Sequence, residues 1–150
     1  MSKDMRVKIA FLHAQAKLPE FKTPGAVGAD IFAAFDGPPI TLAPWGRAKI
    51  PTGLALYVPD GLEAQIRSRS GLAFHEGVIV MNSPGTIDRD YRGEVGVILI
   101  NTSQTSYDVL SGDRIAQMVI APVLKAEFEI AVELGSTARG EDGFGSTGMR

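Results

Sequence analysis

Val95-Gly96-Val97-Ile98-Leu99-Ile100 is a Val/Ile-rich apolar run of the kind that forms a buried β-strand. Residues 78–81 and 115–120 read the same way. Residues 7–12, 47–50, 54–58 and 62–67 carry apolar side chains at period two or in short solid runs, which is also strand-like. Residues 126–132 alternate acidic and apolar residues and read as a final strand. Turn signals separate these runs, among them Pro24-Gly25, Gly37-Pro38-Pro39, Pro44-Trp45-Gly46, Pro59-Asp60-Gly61, Pro84-Gly85 and Ser111-Gly112-Asp113. Many short strands at this spacing predict an all-β sandwich, jelly roll or barrel. One short helix is expected around residues 70–75, with Ser70 as its cap, Leu72, Ala73 and Phe74 as its body and Gly77 past its end.

Composition agrees with that pattern. The 150 residues suffice for one domain with a sizeable core. The 17 glycines and 9 prolines exceed an ordinary share and oppose a helical bundle. Residues 135–150 are glycine-rich and almost free of core-forming side chains, with Phe144 their single aromatic. The expected division is a β domain over residues 1–134 and a mobile C-terminal arm over 135–150. Cysteine is absent, which excludes disulfides, thiolate nucleophiles and Cys-ligated metals. Two histidines, His13 and His75, exclude a His-rich metal site. The formal charge of −2 lacks the basic excess of a general nucleic-acid binder, so stable nucleic-acid binding is not expected, and any bound polyanion must be small. No apolar run approaches the ~18 residues of a membrane span, and the first residues do not read as a signal peptide. A cytoplasmic protein is the expectation.

Five stretches carry residues suited to chemistry: 25–34, 65–73, 85–94, 112–117 and 139–148. In the second, Arg69, Ser70 and Gly71 stand together where a strand meets a helix start. That arrangement suits an anion held by free N–H groups and a guanidinium, and equally suits a plain helix cap beside a surface arginine. The third reads as a charged tight hairpin. Asp88, Asp90 and Glu94 offer a general base or a metal ligand; their pairing with Arg89 and Arg92 on a solvated surface is the other reading. Tyr91 is either a packed ring or a platform for a ligand ring. In the fourth, Gln117 interrupts an apolar run and needs a polar partner, from the backbone or a ligand. The fifth contains Gly143-x-Gly145-x-x-Gly148, but no βαβ unit surrounds it, so the dinucleotide-fold reading fails. Its glycine N–H groups, with Arg139, Ser146 and Thr147, can wrap a phosphate chain while Phe144 covers a base; composition alone equally describes a disordered tail.

Taken in order, with Asp88-Arg89-Asp90-Tyr91-Arg92-Gly93 and Gly143-Phe144-Gly145-Ser146-Thr147-Gly148 both intact, the five stretches closely resemble the trimeric dUTPase family. The resemblance implies a distorted β jelly roll (the dUTPase-like β-clip) with one short helix and a flexible arm, assembled as a homotrimer with shared active sites. It implies hydrolysis of dUTP with Mg²⁺ to dUMP and pyrophosphate, which limits uracil incorporation into DNA and supplies dUMP for dTMP synthesis. Asp88 matches the general base that activates a water for attack on the α-phosphorus. Tyr91 matches the tyrosine under the deoxyribose, where no room is left for a 2′-hydroxyl. Gly85, Thr86 and Ile87 match the uracil-reading edge, and Asn82 lies where some members place a uracil-contacting Asn. Arg69, Ser70, Gly71 and Gln117 match phosphate contacts. Asp30 matches an acidic residue supporting the metal-water and phosphate region. Arg139, Phe144, Gly145, Ser146 and Thr147 match the closing arm, with Phe144 stacking on uracil.

Two positions depart from the common pattern: Ala29 where many members have an aromatic, and Ser68 where Pro is frequent. Two rivals remain to be weighed. A dCTP deaminase-like or bifunctional enzyme of the same fold should lack the Phe-Gly-Ser-Thr arm, which this chain has. A non-catalytic nucleotide-binding member would most simply show a lost base, whereas Asp88 is present.

Overall fold

The computed structural model describes residues 5–143. Its elements follow in the order β1 (Lys8–Phe11), β2 (Ala29–Phe32), β3 (Ile40–Leu42), β4 (Arg47–Tyr57), β5 (Leu62–Arg67), α1 (Ser70–Glu76), β6 (Val78–Val80), β7 (Gly85–Ile87), β8 (Glu94–Asn101), β9 (Tyr107–Val109) and β10 (Arg114–Pro122). One four-stranded sheet has the order β1-β4-β8-β6, a second has β2-β10-β5-β7, and β3 pairs with β9 apart from both. Every ladder is antiparallel. The all-β, jelly-roll-like expectation holds.

The run that opened the sequence reading sits at the heart of this arrangement. In β8, Val95, Val97, Leu99 and Asn101 are buried while Gly96, Ile98 and Ile100 are half-buried. Two-residue periodicity therefore turns one face of the strand wholly inward. Ile31, Ile50, Leu54, Val78 and Ile115 meet it in one hydrophobic cluster. The buried polar side chains are bonded. Asn101 donates to the carbonyls of Leu42 at 2.9 Å and Thr105 at 2.7 Å, and Thr52 donates to Val95 O at 2.6 Å. Both sew neighbouring segments to β8, as buried polar groups must if they are not to cost stability.

Several expectations need correction. Residues 47–50 and 54–58 are not two strands: β4 is continuous, with a register irregularity between Pro51 and Ala55. Gly53 takes φ +65° there, and its N–H donates to the Glu94 carboxylate at 2.8 Å, so Pro-Thr-Gly marks a bulge rather than a turn. Residues 126–132 form no strand. Their alternation is present, but no described strand lies alongside to complete a ladder, and Phe128, Ile130 and Val132 are at least 99% exposed. The packed body closes at Val123, whose N–H donates to Gly61 O at 3.0 Å. Ser70 is not the helix cap. That place falls to Arg69, without a side-chain bond, whereas Gly77 ends the helix with left-handed φ +66° as expected. Finally, residues 85–94 are not a hairpin. β7 pairs with β5 in one sheet and β8 with β4 and β6 in the other.

Candidate active site

This last correction builds the site. β6 and β7 are edge strands of different sheets, and β7 and β8 are also in different sheets. The connections at residues 81–84 and 88–93 therefore both cross between sheets. A cavity of about 260 Å³ lies among them, lined in part by Asn82, Gly85, Thr86, Ile87, Asp88 and Tyr91. All six were singled out in the sequence, and the fold gathers them at one place.

The local geometry explains the residue types. A Cβ on Gly85 would stand 3.3 Å from the Asn82 amide nitrogen and 3.4 Å from Ile66 Cβ, so glycine lets the amide lie close over the strand. Tyr91 folds back over Gly93: a Cβ on Gly93 would come within 2.6 Å of Tyr91 Cζ, so any side chain there would displace the ring. The Tyr91 hydroxyl donates to Glu94 O at 3.0 Å, and its N–H donates to Asp88 O at 3.1 Å. The ring is thus held at both ends against the cavity. Asp88 is exposed, and its carboxylate has no ion pair among the described residues. The neighbouring cation, Arg89, pairs instead with Asp60 at 2.9 Å. Asp88 also borders a second cavity of about 550 Å³, so solvent reaches it from two sides.

A second group forms at the other edge of the β2-β10-β5-β7 sheet. Asp30 on β2 faces Gln117 on β10, which faces Arg67 on β5. Asp30 is only 3% exposed. Its Oδ1 meets Arg69 Nε at 3.3 Å and Gln117 Nε2 at 3.5 Å, and its Oδ2 meets Arg114 Nη1 at 3.1 Å. Arg69 Nη1 also donates to Arg114 O at 2.9 Å. A carboxylate this buried needs such partners to offset its lost hydration. The exchange fixes Arg69 and Gln117 in place. Gly28 makes room for Gln117, since a Cβ there would stand 3.1 Å from Gln117 Cβ. Ser70 and Gly71 follow at the exposed start of α1. A Cβ on Gly71 would meet nothing within 4 Å, so packing within the chain does not demand glycine there. Among the described residues no three His, Cys, Asp or Glu side chains converge on a metal position.

The two groups do not merge. None of Asp30, Arg69, Ser70, Gly71 or Gln117 lines the cavity beside Tyr91. Arg139 is exposed and folds onto its own neighbours, donating to Asp142 O at 2.8 Å. The readings of Phe144, Gly145, Ser146 and Thr147 lie outside the described residues. The two departures from the family pattern are accommodated. Ser68 Oγ accepts the Val80 N–H at 2.9 Å, and Ala29 is buried at 4% exposure. Sequence reading gave two arginines, Arg114 and Arg92, no role in the site. Arg114 was signalled by Asp30 itself, an acid amid the apolar run of β2 that requires a cation. Arg92 gave no such signal, because its partners are backbone carbonyls.

The dUTPase family model matches residues 14–148 of the chain, nearly its whole length. The chain belongs to the dUTPase family. Among its dUTPase relatives, the deoxyuridine 5'-triphosphate nucleotidohydrolase of Syntrophotalea carbinolica is 50% identical over 147 residues, covering 98% of this chain and 99% of the relative. That of Roseobacter denitrificans is 55% identical over 131 residues, covering 87% and 86%. The fold agrees with solved dUTPases. One from Staphylococcus bacteriophage 80alpha, a mutant with dUpNHpp, superposes with a TM-score of 0.84 at 27% identity, covering 95% of this chain and 98% of that one. A dUTPase mutant from phage phi11 of S. aureus, solved for the coordination of a structural Mg(II) ion, gives 0.78 at 25% identity, covering 87% and 99%.

Proposed function

We propose that this chain hydrolyses dUTP to dUMP and pyrophosphate. The observation that carries the reading is Asp88: an exposed carboxylate without an ion pair among the described residues, beside a cavity walled in part by Tyr91, in a chain of the dUTPase family. Asp88 takes a proton from a water, the water oxygen bonds to the α-phosphorus, and the bond from that phosphorus to the bridging oxygen breaks to release pyrophosphate. The Tyr91 ring, pinned over Gly93, lies under the deoxyribose and rejects a 2′-hydroxyl by volume. Asn82 and the backbone of β7 read the uracil edge.

Arg69, Ser70, Gly71 and Gln117 bind the phosphates. Asp30 serves them by orienting Arg69 and Gln117, since both its carboxylate oxygens are engaged by guanidinium groups. The triphosphate oxygens and waters, rather than side chains of this chain, would hold Mg²⁺, which would supply charge neutralisation there. No described cluster of protein side chains competes for that part. The arm residues Arg139, Phe144, Gly145, Ser146 and Thr147 close the site, with Phe144 over the base.

The working unit is a homotrimer with shared sites. Two observations support it. The phosphate group and the nucleoside cavity stay apart within one chain. Residues 124–134 carry a strand's alternation with Leu124, Phe128, Ile130, Val132 and Leu134 each at least 95% exposed, which the sheet edge of another copy would cover. No described helix is long and apolar enough to cross a membrane, and a cytoplasmic site of action fits a nucleotide substrate. The deciding measurement is pyrophosphate release from each common nucleoside triphosphate with Mg²⁺. Turnover of dUTP far above UTP and dTTP is expected; no dUTP turnover by folded protein would sink the reading. Deamination of dCTP in the same assay would favour the rival enzyme of this fold.

A further inference from the structure

Arg92 sits in the crossing turn between Asp88 and β8. The two N–H groups of its Nη1 face three carbonyl oxygens, so one is shared: Arg89 at 2.6 Å, Tyr91 at 3.0 Å and Leu56 at 3.4 Å. The first two belong to the turn, and the third belongs to β4. One guanidinium thus ties the turn to the sheet. Its carbon also stands 5.2 Å from the centre of the Tyr57 ring, within the range where an aromatic face attracts a cation. Lys8 Nζ reaches the same ring at 5.3 Å. The Tyr57 hydroxyl has no hydrogen-bond partner among the described residues, so the ring itself is what Tyr57 contributes. Arginine suits this seat because its planar fork stays charged, stacks on a ring and still points its N–H groups at fixed acceptors.

Arg92 does not line the nucleotide cavity. Whatever it does there passes through Tyr91, whose carbonyl it holds. We propose that Arg92, seated on the Tyr57 ring, is a positioning residue that fixes Tyr91 against the sugar and thereby sets the discrimination between deoxyribose and ribose. The proposal rests on the reading of Tyr91 given above. Without the guanidinium, Tyr91 itself keeps, among the described residues, its N–H bond to Asp88 O and its hydroxyl bond to Glu94 O, while the Arg89–Asp60 pair ties the turn only at the surface. A ring displaced by a fraction of an ångström admits a hydroxyl that the fixed ring refuses.

The test uses the full chain and compares kcat/KM for dUTP and UTP. In Arg92→Met the ratio should fall about tenfold, chiefly because UTP is accepted better. Arg92→Lys keeps the charge but not the fork and should fall between Arg92→Met and wild type. Tyr57→Leu should lower the ratio about threefold, while Tyr57→Phe keeps the ring and should retain the wild-type ratio. Tyr57→Leu should add nothing on the Arg92→Met background, since both act along one line. Amide hydrogen exchange over residues 88–93 should quicken in Arg92→Met and Tyr57→Leu alike. An unchanged ratio in Arg92→Met, or equal losses in Tyr57→Phe and Tyr57→Leu, overturns the proposal. Should the wild type fail to turn over dUTP, the activity reading falls, and the exchange rates alone decide the positioning: unchanged exchange overturns it, faster exchange supports it. If Arg92→Met does not fold, Arg92→Lys and Tyr57→Leu carry the same comparison.

Discussion

Asp30 and Asp88 are the same side chain put to opposite uses. Asp30 is almost wholly buried, and two arginines and a glutamine converge on it. Asp88 is exposed, has no ion pair among the described residues and opens onto two cavities. The first spends its charge inside the protein, holding other groups still. The second is left open to solvent, where the proposed reading places the base. A carboxylate enclosed by partners is closed to a water, and one left alone in a mobile surface would be poorly aimed. The chain resolves this by fixing the backbone at Asp88 through its own turn while leaving the carboxylate free.

The contrast can be broken at either end. Asp88→Asn keeps the volume and removes the base, and turnover should drop about 10³-fold while dUTP binding and the melting temperature hold. A near-normal rate, or a collapse of stability, would end the assignment. Removal of residues 139–150 leaves both aspartates as they are; turnover should fall about 10²-fold with the body still folded, read by circular dichroism beside the activity assay. Full activity would take the arm out of the mechanism. Asp30→Ala strands two guanidinium groups and should cost about 3 kcal/mol of stability, measured by denaturant unfolding, with dUTP affinity weakened as Arg69 loses its anchor. A variant as stable as wild type would show that Asp30 is not the structural partner described. Ser68→Ala removes only the bond to Val80 N–H and should cost about 1 kcal/mol with activity kept, which calibrates how small a purely structural change near Arg69 looks.

The strands that build the core were legible because their burial alternates over five residues or more, as in β5 and β8, or because they carry a solid apolar run, as in β10. β2 was not read as a strand: all four of its residues are buried, so no alternation exists, and one of them is an acid. β3, β7 and β9 span three residues each, too short for any period to register. At the site, residue type was informative where the side chain itself lines the cavity or joins the ion cluster, as with Asp88, Tyr91 and Arg69. It was silent where a side chain serves the backbone. Arg92 is of this kind, and so is Gly93, whose need for no side chain follows from where the Tyr91 ring lies. The charged hairpin was misread for a related reason: local sequence reports a turn, but which sheet each arm joins is decided by partners far along the chain.

The exposed residues 124–134 have a consequence for a single chain on its own. On a newly made chain, Leu124, Phe128, Ile130, Val132 and Leu134 form a sticky ribbon of the kind from which cross-β aggregates grow. Glu127, Glu129 and Glu133 occupy intervening positions. If identical ribbons stacked in register, those carboxylates would line up about 4.8 Å apart and repel along the whole stack. A foreign sheet edge imposes no such ladder of like charges. The acids therefore act as gatekeepers, allowing the ribbon to add to a folded sheet while penalising its accumulation on itself.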